Sequence, residues 1–123
     1  MILLDTSALI GALAGRRPAL PSLVSFVRDG SRVGVCAPVL YEWWRGPRTA
    51  EELDAQEQIC PSAAAFPFGA REAAVAAEVY RRLKRPRGRE IDIAIAACAI
   101  TRDAALWTLN PGDFKDIPGL ELA

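Results

Sequence analysis

Met1-Ile2-Leu3-Leu4-Asp5-Thr6-Ser7-Ala8-Leu9-Ile10 interrupts an apolar run with a carboxylate and two hydroxyls, after which the apolar character resumes. Ile2 to Leu4 is apolar on both faces, which suits a central strand of a parallel sheet; a half-exposed strand would alternate. Thr6 or Ser7 can N-cap the helix that starts next, with Ala8, Leu9 and Leu13 on its inner face. Asp5 then stands at the carboxyl end of a buried strand, where open α/β sheets place their ligands. This stretch alone leaves Asp5 equally readable as a plain helix cap.

Working outward, the helix from Thr6 to Ala14 stops at Gly15-Arg16-Arg17-Pro18, a C-terminal signal. Pro21 to Asp29 reads as a second helix, with Leu23, Phe26 and Val27 at helical spacing. Arg32 to Ala37 is a compact apolar strand ending at Pro38, and from Pro38 a helix carries Glu42, Trp43 and Trp44 to Gly46-Pro47. Arg48 to Ile59 is helical and acidic on one side (Glu51, Glu52, Asp54, Glu57), which reads as a solvated face. Ala63 to Phe68 is expected as a short edge strand, because Pro67 does not suit a central one. Ala70 to Leu83 is amphipathic. Arg89 to Ile100 has almost no polar face, the mark of a buried helix, so Asp92 near its first turn is conspicuous. Ala105 to Leu109 is a further strand, followed by the polar turn Asn110-Pro111-Gly112-Asp113 and a last short strand, Leu120-Glu121-Leu122. This alternation predicts one α/β domain over residues 1–123, with three layers and a mostly parallel sheet.

Composition narrows the chemistry. The chain has 123 residues, 51% of them hydrophobic and 24% charged, enough for a core without metal or disulfide staples. Cys36, Cys60 and Cys98 are odd in number and widely spaced, so they form neither a disulfide framework nor a zinc knuckle. Cys36 and Cys98 sit in apolar runs and read as core. Histidine is absent, which excludes Ser-His-Asp and Cys-His catalysis and HExxH zinc sites. A hydrolase built from this chain must use carboxylates, with a hard metal ion as their natural companion. With 15 basic against 15 acidic side chains, polyanion binding has to come from a local patch. No apolar run approaches the roughly 20 residues that span a bilayer. The N-terminus lacks a basic n-region and carries Asp5 where a signal peptide would be apolar, so the cytoplasm is the expected location.

Four carboxylates fall where elements begin or end in apolar surroundings. Asp5 and Asp113 follow strands, and Glu42 and Asp92 read into the first turns of helices, all on the carboxyl-end side of a parallel sheet. Each has a duller explanation: helix dipole for Glu42 and Asp92, an ordinary turn for Asp113. Together they repel, and such a cluster calls for a cation or raised pKa values. Mg²⁺ or Mn²⁺ suits an all-oxygen donor set.

The four stretches Leu4-Asp5-Thr6-Ser7-Ala8-Leu9-Ile10, Tyr41-Glu42-Trp43-Trp44-Arg45-Gly46, Asp92-Ile93-Ala94-Ile95-Ala96-Ala97 and Trp107-Thr108-Leu109-Asn110-Pro111-Gly112-Asp113-Phe114 give the chain a family likeness. It resembles the PIN-domain ribonucleases, in particular the small VapC-type toxins of toxin–antitoxin modules. The family's first three acids fall on Asp5, Glu42 and Asp92, and the fourth is assigned to Asp113, with Asn110 orienting water or metal. The resemblance implies a PIN-like α/β/α fold and Mg²⁺- or Mn²⁺-dependent cleavage of RNA, inhibited by a cognate VapB-type antitoxin. In that scheme Asp5, Asp92 and Asp113 are metal ligands. Glu42 or Asp113 orients the attacking water or holds a second ion, and Thr6 supports a ligating carboxylate.

The segment Arg81 to Arg89 carries Arg81, Arg82, Lys84, Arg85, Arg87 and Arg89, six of the 15 basic residues. Arg82, Arg85, Arg87 and Arg89 are taken as RNA contacts, with Arg45 and Arg48 as rivals beside Glu42; a solvated helix end is the plain alternative for the segment. The Trp43-Trp44 pair and the apolar composition point to a homodimer. An antitoxin segment would aim a basic side chain at Asp5 and Asp92, with apolar anchors beside Trp43 or Trp44. The reading of a different class is a catalytically inactive PIN-like protein- or RNA-binding module.

Overall fold

The computed structural model describes all 123 residues. Four strands, β1 (Ile2–Leu4), β2 (Val33–Gly34), β3 (Ala105–Trp107) and β4 (Glu121–Leu122), form one sheet in the order β2-β1-β3-β4, and every pairing is parallel. Six helices complete a three-layer α/β/α arrangement: α1 (Thr6–Leu13), α2 (Leu20–Arg28), α3 (Ala37–Arg45), α4 (Ala50–Ile59), α5 (Ala70–Arg82) and α6 (Glu90–Thr101).

The apolar triplet of β1 is buried throughout, because β2 and β3 flank it and helices cover both faces. Its register with β3 pairs Leu4 with Trp107. Asp5 and Thr108 therefore leave neighbouring strands side by side, and the Asp5 amide still donates to the Trp107 carbonyl at 2.9 Å. In a sheet that is parallel throughout, every strand delivers its carboxyl end to the same rim. Helix α6 is buried at Ile93, Ile95, Ala96, Ala97, Cys98 and Ala99, packed against α5, α3 and β3, as its uniformly apolar sequence requires.

Three expectations change. Ala63 to Phe68 is not a strand: a 3₁₀ turn covers Ser62–Ala64, and only an isolated parallel bridge joins Cys36 to Phe66. Phe66 spends its amide on Val35 and its carbonyl on Ala37, and Pro67, which has no N–H, cannot extend the ladder. The strand expected from Arg32 to Ala37 shortens to Val33–Gly34, since β1 is only three residues long and pairs with just these two. Neither Thr6 nor Ser7 is the N-cap of α1. Asp5 holds that place, but its side chain makes no capping hydrogen bond. Cys36, Cys60 and Cys98 are free and buried, and burial raises Cys60 to about 11, so they are packing residues.

The acidic face of α4 is partly structural. Thr49 and Glu52 close a capping box, Glu52 also accepts from the Gly15 amide at 2.9 Å, and Glu57 holds Ser62. These local donors keep Glu52 and Glu57 below the ordinary carboxylate range.

Candidate active site

Asp5 is 5% exposed. Its Oδ2 accepts from Ser7 Oγ and Thr108 Oγ1, both at 2.8 Å, and its Oδ1 is left without a protein donor. A carboxylate used only as a helix cap would accept from the backbone amides of the first turn; Asp5 accepts from hydroxyls instead and aims one oxygen outward. Ser7 in turn accepts from the Leu109 amide at 3.0 Å, and Thr108 from the Asn110 amide at 3.0 Å. The hydroxyl pair thus locks both Asp5 and the chain leaving β3. Ser7 and Thr108 were missed as site residues. The available signal was that two strands, each apolar to its last residue, both run into an oxygen-bearing side chain.

Glu42 does not lie in a first turn. Helix α3 starts at Ala37, so Glu42 sits toward its carboxyl end, where the helix dipole disfavours an anion. What holds it is Thr6, whose Oγ1 donates to Glu42 Oε1 at 2.5 Å across 36 residues of chain. Arg45 adds a longer contact to Oε2 at 3.3 Å. The dipole explanation for Glu42 is removed; Thr6 supports Glu42 rather than one of the carboxylates expected as metal ligands.

Asp92 is in the first turn of α6 and its side chain has no hydrogen-bond donor. Its pKa is raised from 3.8 to about 6, chiefly by desolvation and then by the charges of Asp5, Asp113 and Glu42. Asp5, Asp113 and Glu42 thus lie near enough for their charges to bear on Asp92. Asp113 ends a 3₁₀ turn, Pro111–Asp113, and is exposed, as is Asn110.

Arg89 ties this turn to α6. Its Nη2 donates to the Asp113 carbonyl at 3.0 Å and to Asp116 Oδ1 at 2.6 Å, while Nη1 donates to Asp116 Oδ2 at 3.0 Å. Such a bidentate pair is both oriented and strong for its class, and it draws Asp116 below the ordinary range. Arg89 is therefore a brace between the segments bearing Asp92 and Asp113, with little of its guanidinium left for RNA.

Arg48 is committed too. It donates to the Trp43 and Pro47 carbonyls, both at 3.1 Å, and lies 4.4 Å from the Trp43 ring centroid. It closes the end of α3, whose last carbonyls have no helical partner. Arg82 lines a hollow with Ile100, Pro118 and Gly119, whereas Arg85 and Arg87 share another cleft. Trp43 is 0% exposed and Trp44 51%, so only Trp44 offers an apolar surface to a partner; Trp43 is core.

The donor chemistry fits a hard divalent ion. All four acids offer oxygen, Asp5 Oδ1 is uncommitted, and the mutual repulsion felt by Asp92 is the kind a cation relieves. No group of three or more acids or thiols converges tightly enough to form a ready-made cage. Mg²⁺ does not need one, because it keeps several waters and binds through one or two carboxylates together with substrate phosphates.

A model of the PIN domain family matches residues 2–120. No curated protein matches the chain. Among solved structures, it is similar to one of VapBC2 from Rickettsia felis bound to a DNA fragment from their promoter, with 22% identity, a TM-score of 0.78, and 100% of this chain and 98% of that one covered. It is also similar to DNA-bound VapBC from Salmonella typhimurium, with 20% identity, a TM-score of 0.79 and coverage of 99% and 96%. For FitAcB from Neisseria gonorrhoeae the figures are 21%, 0.74, 100% and 97%. At these identities the likeness establishes the fold.

Proposed function

The chain belongs to the PIN domain family, and from that premise we propose that it is a metal-dependent endoribonuclease, the toxin of a toxin–antitoxin pair. The observation that carries the reading is the set of like charges that Asp5, Glu42 and Asp113 impose on the desolvated Asp92 at the rim of the sheet. A fold accepts such repulsion only against some return.

Asp5 and Asp92 would hold the ion, with Asp113 beside them. When bound, Mg²⁺ or Mn²⁺ supplies an activated water and neutralises charge on the scissile phosphate. The residues of the chain do the rest. Ser7 and Thr108 fix Asp5 so that Oδ1 faces the site. Thr6 fixes Glu42 at Oε1, leaving Oε2 to exchange its 3.3 Å contact with Arg45 for the attacking water and orient it. Asn110 borders the same rim and offers an amide to water or ion. Arg45, 55% exposed at its side chain and in contact with Glu42, is the proposed phosphate contact beside this chemistry.

The partner reading draws on the neighbours being VapBC complexes: a VapB-type antitoxin is proposed to cover the rim with a basic side chain, beside Trp44. A homodimer is proposed on the exposed Tyr41 and Trp44 of α3. Residues 1–123 are taken as one PIN domain. No helix is long and apolar enough to cross a membrane, and the cytoplasm is the proposed location.

The test is cleavage of a panel of structured and unstructured RNAs by purified protein with Mg²⁺, with Mn²⁺ and with chelator. Cutting that stops on chelation and returns with Mn²⁺ is expected. Cutting indifferent to chelator would overturn the metal dependence, and no cutting of any RNA would leave the inactive binding module as the reading.

A further inference from the structure

Arg82, Lys84, Arg85 and Arg87 are the cations of the basic segment without an acid partner, and the last three lie together. Arg81 pairs with Glu78 at 2.6 Å and Arg89 with Asp116, while Arg82 opens onto a separate hollow. With Tyr80 and Pro86, the three line an open cleft of about 510 Å³. Tyr80, 36% exposed, is also a wall of an adjoining hollow of about 370 Å³ lined by Ala76, Ala77, Arg81, Glu90 and Ile93. One aromatic side chain thus stands between a cationic cleft and a mostly apolar one.

We propose that this pair of hollows is a nucleotide subsite. Tyr80 stacks an unpaired base against the apolar wall of α5 and α6, and Lys84, Arg85 and Arg87 take the phosphates that flank it. Uncompensated cations in one short loop repel one another, and a polyanion removes that cost while releasing its own counterions. Aromatic faces accept any base, so the subsite grips the strand without reading its sequence.

Its position is preset. Pro86 stiffens the loop, Gly88 turns it at φ 79° in a region that suits glycine, and Arg89 Nη1 donates to the Arg85 carbonyl at 3.4 Å. The brace that positions Asp113 therefore also touches the cationic loop. The subsite rests on the nuclease reading and adds where the strand is held away from the bond that is cut.

Binding is measured in chelator, so that nothing is cut, by fluorescence anisotropy of a labelled 12-nucleotide single-stranded RNA and of its duplex. Replacing Lys84, Arg85 and Arg87 together by Gln should lower the slope of log Kd against log salt by about two for the single strand. Tyr80→Leu should weaken single-strand binding roughly 5- to 100-fold, with little change for the duplex, and Tyr80→Phe should bind as the parent does. Arg16→Gln/Arg17→Gln, which removes charge elsewhere, should change neither. Melting curves verify that each variant is folded.

If the parent cuts RNA but the triple and Tyr80 variants bind as tightly as it does, the subsite is wrong and the nuclease reading stands. If the parent binds through these residues yet cuts nothing with Mn²⁺, the subsite stands and the nuclease reading fails. Variants that lose self-association while keeping RNA affinity would identify the face as a protein interface and overturn the subsite.

Discussion

Asp5 and Glu72 are both sealed from solvent, at 5% and 4% exposure, yet their surroundings differ in kind. Glu72, at the start of α5, accepts from the Gly69 amide at 2.9 Å and faces Arg102, which lies over the Phe66 ring. The Gly69 amide foremost, with Arg102 contributing, keeps Glu72 below the ordinary range. Asp5 has hydroxyls on one oxygen, no cation, and three further acids about the same rim. A buried anion with a backbone donor and an Arg is satisfied by its own fold. One among other anions, with no cation of its own, is the kind a bound cation would satisfy, and that contrast marks Asp5 as a candidate site residue where Glu72 is structural.

The contrast breaks most visibly in activity. Asp5→Asn or Asp92→Asn is predicted to cut the rate roughly a thousandfold, since loss of ion-held charge stabilisation costs several kcal/mol. Glu72→Gln should leave the rate per folded molecule unchanged. Single-turnover cleavage measures both, and near-parental cutting by Asp5→Asn would remove it from the site.

Next in size is the hydroxyl support. Thr108→Val keeps the shape but deletes one donor to Asp5, and should cost about 10- to 100-fold in activity or Mn²⁺ affinity, the range for residues that orient metal ligands. Calorimetric Mn²⁺ titration checks this independently of cleavage. An unaltered affinity and rate would mean that Ser7 alone suffices.

On stability the ranking inverts. Glu72→Ala strips Arg102 of its acid and frees the Gly69 amide, and should lower the melting temperature by about 5 °C. Asp92→Asn in chelator at pH 7.5 should instead raise it, by roughly 3 °C. The sign follows from linkage. The folded-state pKa of Asp92, about 6, lies above its unfolded 3.8, so the native state binds the extra proton between those values. The metal-free protein therefore loses stability from this group as pH rises from about 4 to 6. The advantage of Asp92→Asn should vanish near pH 4 and shrink on adding Mn²⁺. A variant less stable than its parent at pH 7.5 would show that Asp92 is satisfied like Glu72.

The sequence by itself determined the central apolar strand, the buried helix and where the acids interrupt them. Ile2–Leu4 and the wholly apolar α6 follow from local periodicity, and Asp5 and Asp92 stand at the ends of those runs, so they were legible without contacts. Histidine's absence removed Ser-His-Asp, Cys-His and HExxH chemistry and turned the reading to the carboxylates. Tertiary structure decided what each polar side chain does, because hydrogen-bond partners are set by strand order rather than by neighbours in the chain. Placing β3 beside β1 puts Thr108 on Asp5 across 103 residues, and no local pattern encodes that. Arg48 and Arg87 look alike in sequence, yet one is spent on the end of α3 and the other lines an open cleft. Trp43 and Trp44 differ by one step of about 100° around a helix, and that rotation is what puts the first in the core and the second in solvent.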